Sequence, residues 1–143
     1  MNRPAVNRPF HDSSGLLHHV EIYVSNLRTT TEFWDWLLTE LGYARFQVWE
    51  QGVSWKRRDT YLVFVQTAPE HLDVPYHRCR TGLNHLAFHA RSRRQVDDIT
   101  QELQRRGATM LYENEHPNGD HGAPYAVYFE DPDRIKVELV APD

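Results

Sequence analysis

Leu83-Asn84-His85-Leu86-Ala87-Phe88 echoes, with small changes, Leu17-His18-His19-Val20-Glu21-Ile22. Both stretches alternate apolar with other residues at a period of two, the pattern of a half-buried strand. Each places a histidine at the strand's head. In the first, Val20, Ile22 and Val24 share one face, and His19, Glu21 and Tyr23 share the other. In the second, Leu86, Phe88 and Ala90 oppose His85, Ala87 and His89. The last apolar run, Ile135-Lys136-Val137-Glu138-Leu139-Val140, obeys the same rule and sets Glu138 on the face with Lys136. Two histidines from equivalent strands and one glutamate make a candidate three-ligand metal site.

The elements after each histidine strand repeat as well. A helix is expected over 28–41, with Phe33, Trp34, Leu37, Leu38 and Leu41 as its apolar stripe and Gly42 as its stop. Strands are expected over 43–50, 53–58 and 60–67, with turns at Gln51-Gly52 and Asp59. After the second histidine strand (83–91), Ser92 opens a helix and Gln95, three residues on, completes a capping-box pattern. Val96, Ile99 and Leu103 line that helix over about 93–106, and Gly107 ends it. Further strands are expected over 109–113, 124–130 and 135–140. His19 to Gly42 spans 23 positions and His85 to Gly107 spans 22. The fold class is therefore α+β, two tandem βαβββ modules. Residues 1–14 form an N-terminal arm, 15–67 the first module, 68–80 a linker with Pro69 and Pro75, and 81–143 the second module. Helices on one side of the sheets and polar side chains on the other imply a lined cavity.

Composition narrows the function. The 143 residues suffice for one domain with a real core. A net charge of −4 argues against a nucleic-acid groove. Lys56-Arg57-Arg58 and Arg91, Arg93 and Arg94 read as solvated faces. Cys79 is the single cysteine, which excludes an internal disulfide and points to a reducing cytoplasm. Nothing reads as a signal peptide, and no run approaches the ~20 apolar residues of a membrane span.

With these motifs in place, the chain resembles the vicinal oxygen chelate superfamily, which includes glyoxalase I, fosfomycin- and bleomycin-resistance proteins and extradiol dioxygenases. The resemblance runs from Leu17 to Ala141. It rests on His19-Val20-Glu21-Ile22, on Gly82-Leu83-Asn84-His85-Leu86-Ala87-Phe88, and on Tyr125-Ala126-Val127-Tyr128-Phe129-Glu130-Asp131-Pro132-Asp133 followed by Lys136-Val137-Glu138. It implies a cup-shaped half-barrel with helices outside and a metal held by His19, His85 and Glu138. Aligning Asp59 with Asp133 places Phe64 where glyoxalase I has a fourth protein ligand; Gln66 is the counterpart if the strand bulges. Arg134 stands where relatives commonly have glycine, so that turn requires an unusual conformation.

A 2-His-1-carboxylate set suits Fe2+, Mn2+, Ni2+, Co2+ or Zn2+ with positions open to substrate. Tyr128 faces the same way, and a tyrosine on this strand contacts substrate in related enzymes. Glu21 and His121 are candidate acid–base groups, with His116 and His77 as further histidines of that kind. Phe64 and Trp55 are expected to line the substrate wall, although core packing suits Trp55 equally. The implied function is a metal-dependent enzyme acting on a small oxygen-rich substrate chelated through adjacent oxygens, as a dioxygenase or a lyase or isomerase. The alternative is an antibiotic-sequestering protein without catalysis. Two-module relatives often dimerise, so a homodimer is expected, with modules pairing within the chain or swapped between chains.

Overall fold

The computed structural model describes residues 13–119 and 122–143. The first module is β1 (His19–Val24), α1 (Leu27–Glu40), β2 (Ala44–Trp49), β3 (Gly52–Arg57) and β4 (Thr60–Gln66). A short 3-10 turn, Pro69–His71, lies in the linker. The second module is β5 (His85–His89), α2 (Arg93–Arg105), β6 (Met110–Leu111), β7 (Ala126–Glu130) and β8 (Lys136–Val140). The strands form two four-stranded mixed sheets, ordered β1-β4-β3-β2 and β5-β8-β7-β6. In each, the histidine strand pairs in parallel with the module's last strand. The expected strand over 109–113 shrinks to two residues, and Tyr112 directly after it takes a left-handed φ of 54°.

Local chemistry sets the helix ends. Asn26 Oδ1 accepts the Thr29 N–H at 3.1 Å and caps α1. Ser92 Oγ accepts the Gln95 N–H at 3.1 Å, as the capping pattern requires. The Gln95 side chain does not return to Ser92. Its Oε1 accepts the Arg91 N–H at 2.7 Å, and its amide donates to the Glu40 carbonyl at 3.0 Å, joining α2 to the end of α1. Arg134 adopts φ 64°, the left-handed conformation its place in the turn demands.

One core spans both modules. Trp34 of α1 is fully buried, with its ring centroid 4.9 Å from Phe64 of β4 and 6.2 Å from Phe88 of β5. Phe33 reaches Phe129 of β7 at 6.2 Å. Helix α1 thus bridges the apolar faces of both sheets. Two polar ties reinforce it. Trp34 Nε1 donates to Asp131 Oδ2 at 3.0 Å, and the Ser25 N–H donates to Asp133 Oδ2 at 3.0 Å. Asp131 Oδ1 also accepts the Asp133 and Ile135 N–H groups at 2.9 and 2.8 Å, which closes the turn before β8.

Burial pushes the Asp131 carboxyl up to about 6 from its ordinary 3.8, although the N–H donors of Trp34, Ile135 and Asp133 pull the other way. Because the folded-state value is the higher one, this group's contribution to stability is complete below about 3.8 and lost as pH rises through about 6. The shift corresponds to roughly 3 kcal/mol. Urea unfolding of the wild type and Asp131→Asn should therefore show the wild type's advantage shrinking by ~3 kcal/mol from about pH 4 to about pH 7. A pH-independent difference would contradict this role of Asp131.

Candidate metal centre

Pairing of β5 with β8 sets His85 beside Lys136 and Ala87 beside Glu138, and β7 sets Tyr128 opposite Glu138. His85, Tyr128 and Glu138 therefore share the face of the second sheet opposite its apolar, helix-bearing face. Glu138 is only 9% exposed, and both its oxygens are engaged. Tyr128 donates its hydroxyl to Oε1 at 2.7 Å, and His85 Nε2 stands 3.2 Å from Oε2. Burial, then the bond to Glu138, pushes the Tyr128 phenol up to about 12, so it remains a donor at neutral pH.

The pair fits a metal ion. His85 Nδ1 lies 2.7 Å from Asn84 Oδ1, a contact that requires the ring proton on Nδ1. A neutral His85 then turns its Nε2 lone pair toward a carboxylate oxygen. In that arrangement both atoms can face one metal ion. Ligand bonds of ~2.0–2.2 Å at a right angle would separate two donor atoms by about 3 Å, close to the spacing found here.

His19 does not join this pair within one chain. It is exposed on β1, stacked on Tyr61 with ring centroids 4.7 Å apart and planes 3° from parallel. Its Nδ1 lies 2.9 Å from His18 Nδ1. Among the described residues, no three His, Cys, Asp or Glu side chains are grouped to hold a metal. The cause is α1. Trp34 joins the apolar faces of the two sheets, so the histidine-bearing faces lie on their other sides. Pairing within the chain, one of the two expected arrangements, is not the one this structure adopts.

Glu21 is exposed on the face of His19, and His121 lies outside the described residues. Phe64 and Trp55 were expected on the substrate wall and need correction. Both are fully buried on the helix-bearing side, where Phe64 packs against both Trp34 and Trp55. Trp55 Nε1 donates to Asp35 Oδ1 at 2.8 Å. The register explains the displacement of Phe64. His19 pairs with Tyr61 and Glu21 with Val63, whereas His85 pairs with Lys136 and Ala87 with Glu138. Val63, not Phe64, is therefore the counterpart of Glu138. It cannot bind a metal either. Gln66 is no ligand: its Oε1 accepts the Leu27 N–H at 2.8 Å and its amide donates to the Ser25 carbonyl at 2.9 Å.

Lys136 and Tyr112 were not among the residues expected at the site. Lys136 Nζ stands 5.6 Å from the Tyr112 ring and 6.0 Å from the Tyr128 ring. The alternation Lys136-Val137-Glu138 already placed Lys136 on the ligand face. His116 packs its ring 4.6 Å from that of Tyr128. A separate cleft of about 450 Å³ between α1 and α2 is lined by Trp36, Glu40, Arg91 and Gln95 among others, and contains none of these groups. Its charges balance internally, so the chemistry belongs to the sheet face.

Two βαβββ modules, each headed by a histidine strand, define a scaffold of the vicinal oxygen chelate type. The chain belongs to the Glyoxalase/Bleomycin resistance protein/Dioxygenase superfamily, whose family model matches residues 18–129. It is 54% identical over 126 residues to protein YqjT of Bacillus subtilis, covering 88% of this chain and 98% of that one. A crystal structure of a putative glyoxalase from Bacillus halodurans superposes with a TM-score of 0.88 at 56% identity, covering 91% and 98% of the two chains. The fold is shared more distantly with the fosfomycin resistance protein FosX of Listeria monocytogenes. A variant of it, in complex with Mn(II) and 1S,2S-dihydroxypropylphosphonic acid, gives a TM-score of 0.65 at 21% identity over 89% of this chain and 90% of that one.

Glu138→Gln keeps the shape and both contacts but removes the charge. Equilibrium dialysis with Mn(II) should show affinity reduced at least about tenfold, with thermal unfolding little changed. Undiminished affinity would remove Glu138 from the ligand set.

Proposed function

We propose that this protein is a metal-dependent enzyme acting on a small substrate chelated through adjacent oxygens, and that it works as a homodimer with shared sites. The observation that carries the reading is the His85–Glu138–Tyr128 cluster. His85 and Glu138 of one chain, with His19 of a second, would hold a divalent ion, and manganese is the first to try because the FosX variant holds it. The bound ion would act as a Lewis acid toward adjacent substrate oxygens. Tyr128 would turn its hydroxyl from Glu138 to donate a hydrogen bond to the substrate oxygen on which negative charge grows. Glu21, two residues from His19 on the same face, would be the nearest carboxylate able to act as a base. Whether the product is that of a dioxygenase or of a lyase or isomerase depends on the substrate.

The exposed half of the first module supports the shared site. All six residues of β2 are exposed, and Tyr23, beside His19 and Glu21, is 71% exposed. A second chain laid across this face would cover it and close the otherwise bare sheet edge at β2. The same exposed aromatics favour a second reading, sequestration of an aromatic drug without catalysis, and metal analysis of purified protein separates the two. No helix among the described residues is long and apolar enough to cross a membrane. A cytoplasmic location remains part of this proposal and rests on the single cysteine.

Mixing inactive variants tests the sharing. In a swapped dimer of His19→Ala with Glu138→Ala, one of the two sites is whole. Statistical exchange should therefore restore about one quarter of wild-type Mn(II) binding. No recovery despite confirmed exchange would place the site within one chain, and a monomer in sedimentation at micromolar concentration would overturn the dimer.

A further inference from the structure

Among the described residues, Lys136 is a cation of the second sheet's ligand face without a carboxylate partner. It neighbours His85 on one side and Glu130 on the other in the sheet register, and precedes Glu138 by two residues on the same strand. Both nearby carboxylates are already engaged. Glu138 holds His85 and Tyr128. Glu130, 7% exposed, is held by the Arg78 guanidinium, with Arg134 Nε 3.5 Å from its other oxygen. The ammonium is left over two tyrosine rings, at 5.6 and 6.0 Å, with no carboxylate partner among the described residues. These distances lie at the outer limit of a cation–π contact and supply little compensation for a half-buried charge. Behind the two tyrosine rings stands His116, whose Nδ1 is buried without a hydrogen-bond partner among the described residues.

A charge left unpaired beside a substrate site favours a ligand of opposite sign. We propose that Lys136 anchors a carboxylate on the substrate and so restricts the enzyme to carboxylate-bearing molecules. The proposal rests on the reading of this face as the substrate site. The charge count selects a carboxylate over a phosphonate. Lys136 offers one positive unit, which one carboxylate balances. The rings of Tyr112 and Tyr128, on either side of the ammonium's approach, offer apolar contact to the rest of such an acid. Lys136 thereby selects and orients the substrate and takes no part in bond making.

Benzoate and benzamide are near-isosteres that differ by one charge, so their affinities isolate the role of Lys136. Dissociation constants are measured by NMR titration of chelator-treated protein, and again with one equivalent of Mn(II). A protein that binds no manganese still reports on Lys136 in the first series, so failure of the metal reading and failure of this one remain distinct. Benzoate should bind at least about tenfold tighter than benzamide, with shifts centred on Lys136, Tyr112 and His116. Lys136→Met should abolish that preference while leaving benzamide affinity within about twofold, and Lys136→Arg should retain it. Benzamide binding as tightly as benzoate in the wild type, or a preference that survives Lys136→Met, would overturn the proposal. Phenylphosphonate binding tighter than benzoate would overturn the choice of carboxylate.

Discussion

One buried indole stands at the centre of the contact between the two modules. Trp34 lies between Phe64 and Phe88, and its N–H is bound to the buried Asp131. Loss of that ring would open a cavity in the core that the two sheets share, a change that costs about 3–5 kcal/mol for a buried tryptophan. The direction of the contact matters as much as its strength. It brings the helix-bearing faces together, so the faces carrying His19 and Glu138 point elsewhere. The module contact that completes the core therefore leaves each half of the candidate site open to a second molecule.

The second module's half of that site is organised around one carboxylate. Glu138 is nearly buried and serves both His85 and Tyr128. Asn84 orients the histidine, and Glu138 accepts the tyrosine's hydrogen bond without removing the proton. The result is a pair of potential ligand atoms at a spacing suited to adjacent positions on a metal, with a neutral phenol beside them. The first module supplies no comparable carboxylate, because Val63 occupies the position that Glu138 holds in the second.

Much of this was legible in the sequence. Strand alternation separated ligand faces from core faces, and Gly42 and Gly107 marked the helix ends to within about two residues. The facing of Tyr128 toward Glu138 followed from the same alternation. Phe64 was misplaced because the turns before β4 and β8 differ in length. From Asp59 to the residue paired with His19 is two positions, to Tyr61, while from Asp133 to the residue paired with His85 is three, to Lys136. One extra residue reverses a strand's faces. The packing of the modules was not legible either. A linker of this length allows both arrangements, and the three-dimensional packing of α1 between two sheets selects one.

Anomalous diffraction from crystals grown with manganese would test the shared metal site most directly. A shared site requires one anomalous peak per chain, bound by His85 Nε2 and Glu138 of one molecule and by His19 of its neighbour, at roughly 2.0–2.3 Å. A peak bound by His85 and Glu138 without a histidine from another chain, or no peak at this face at full manganese saturation, would contradict it.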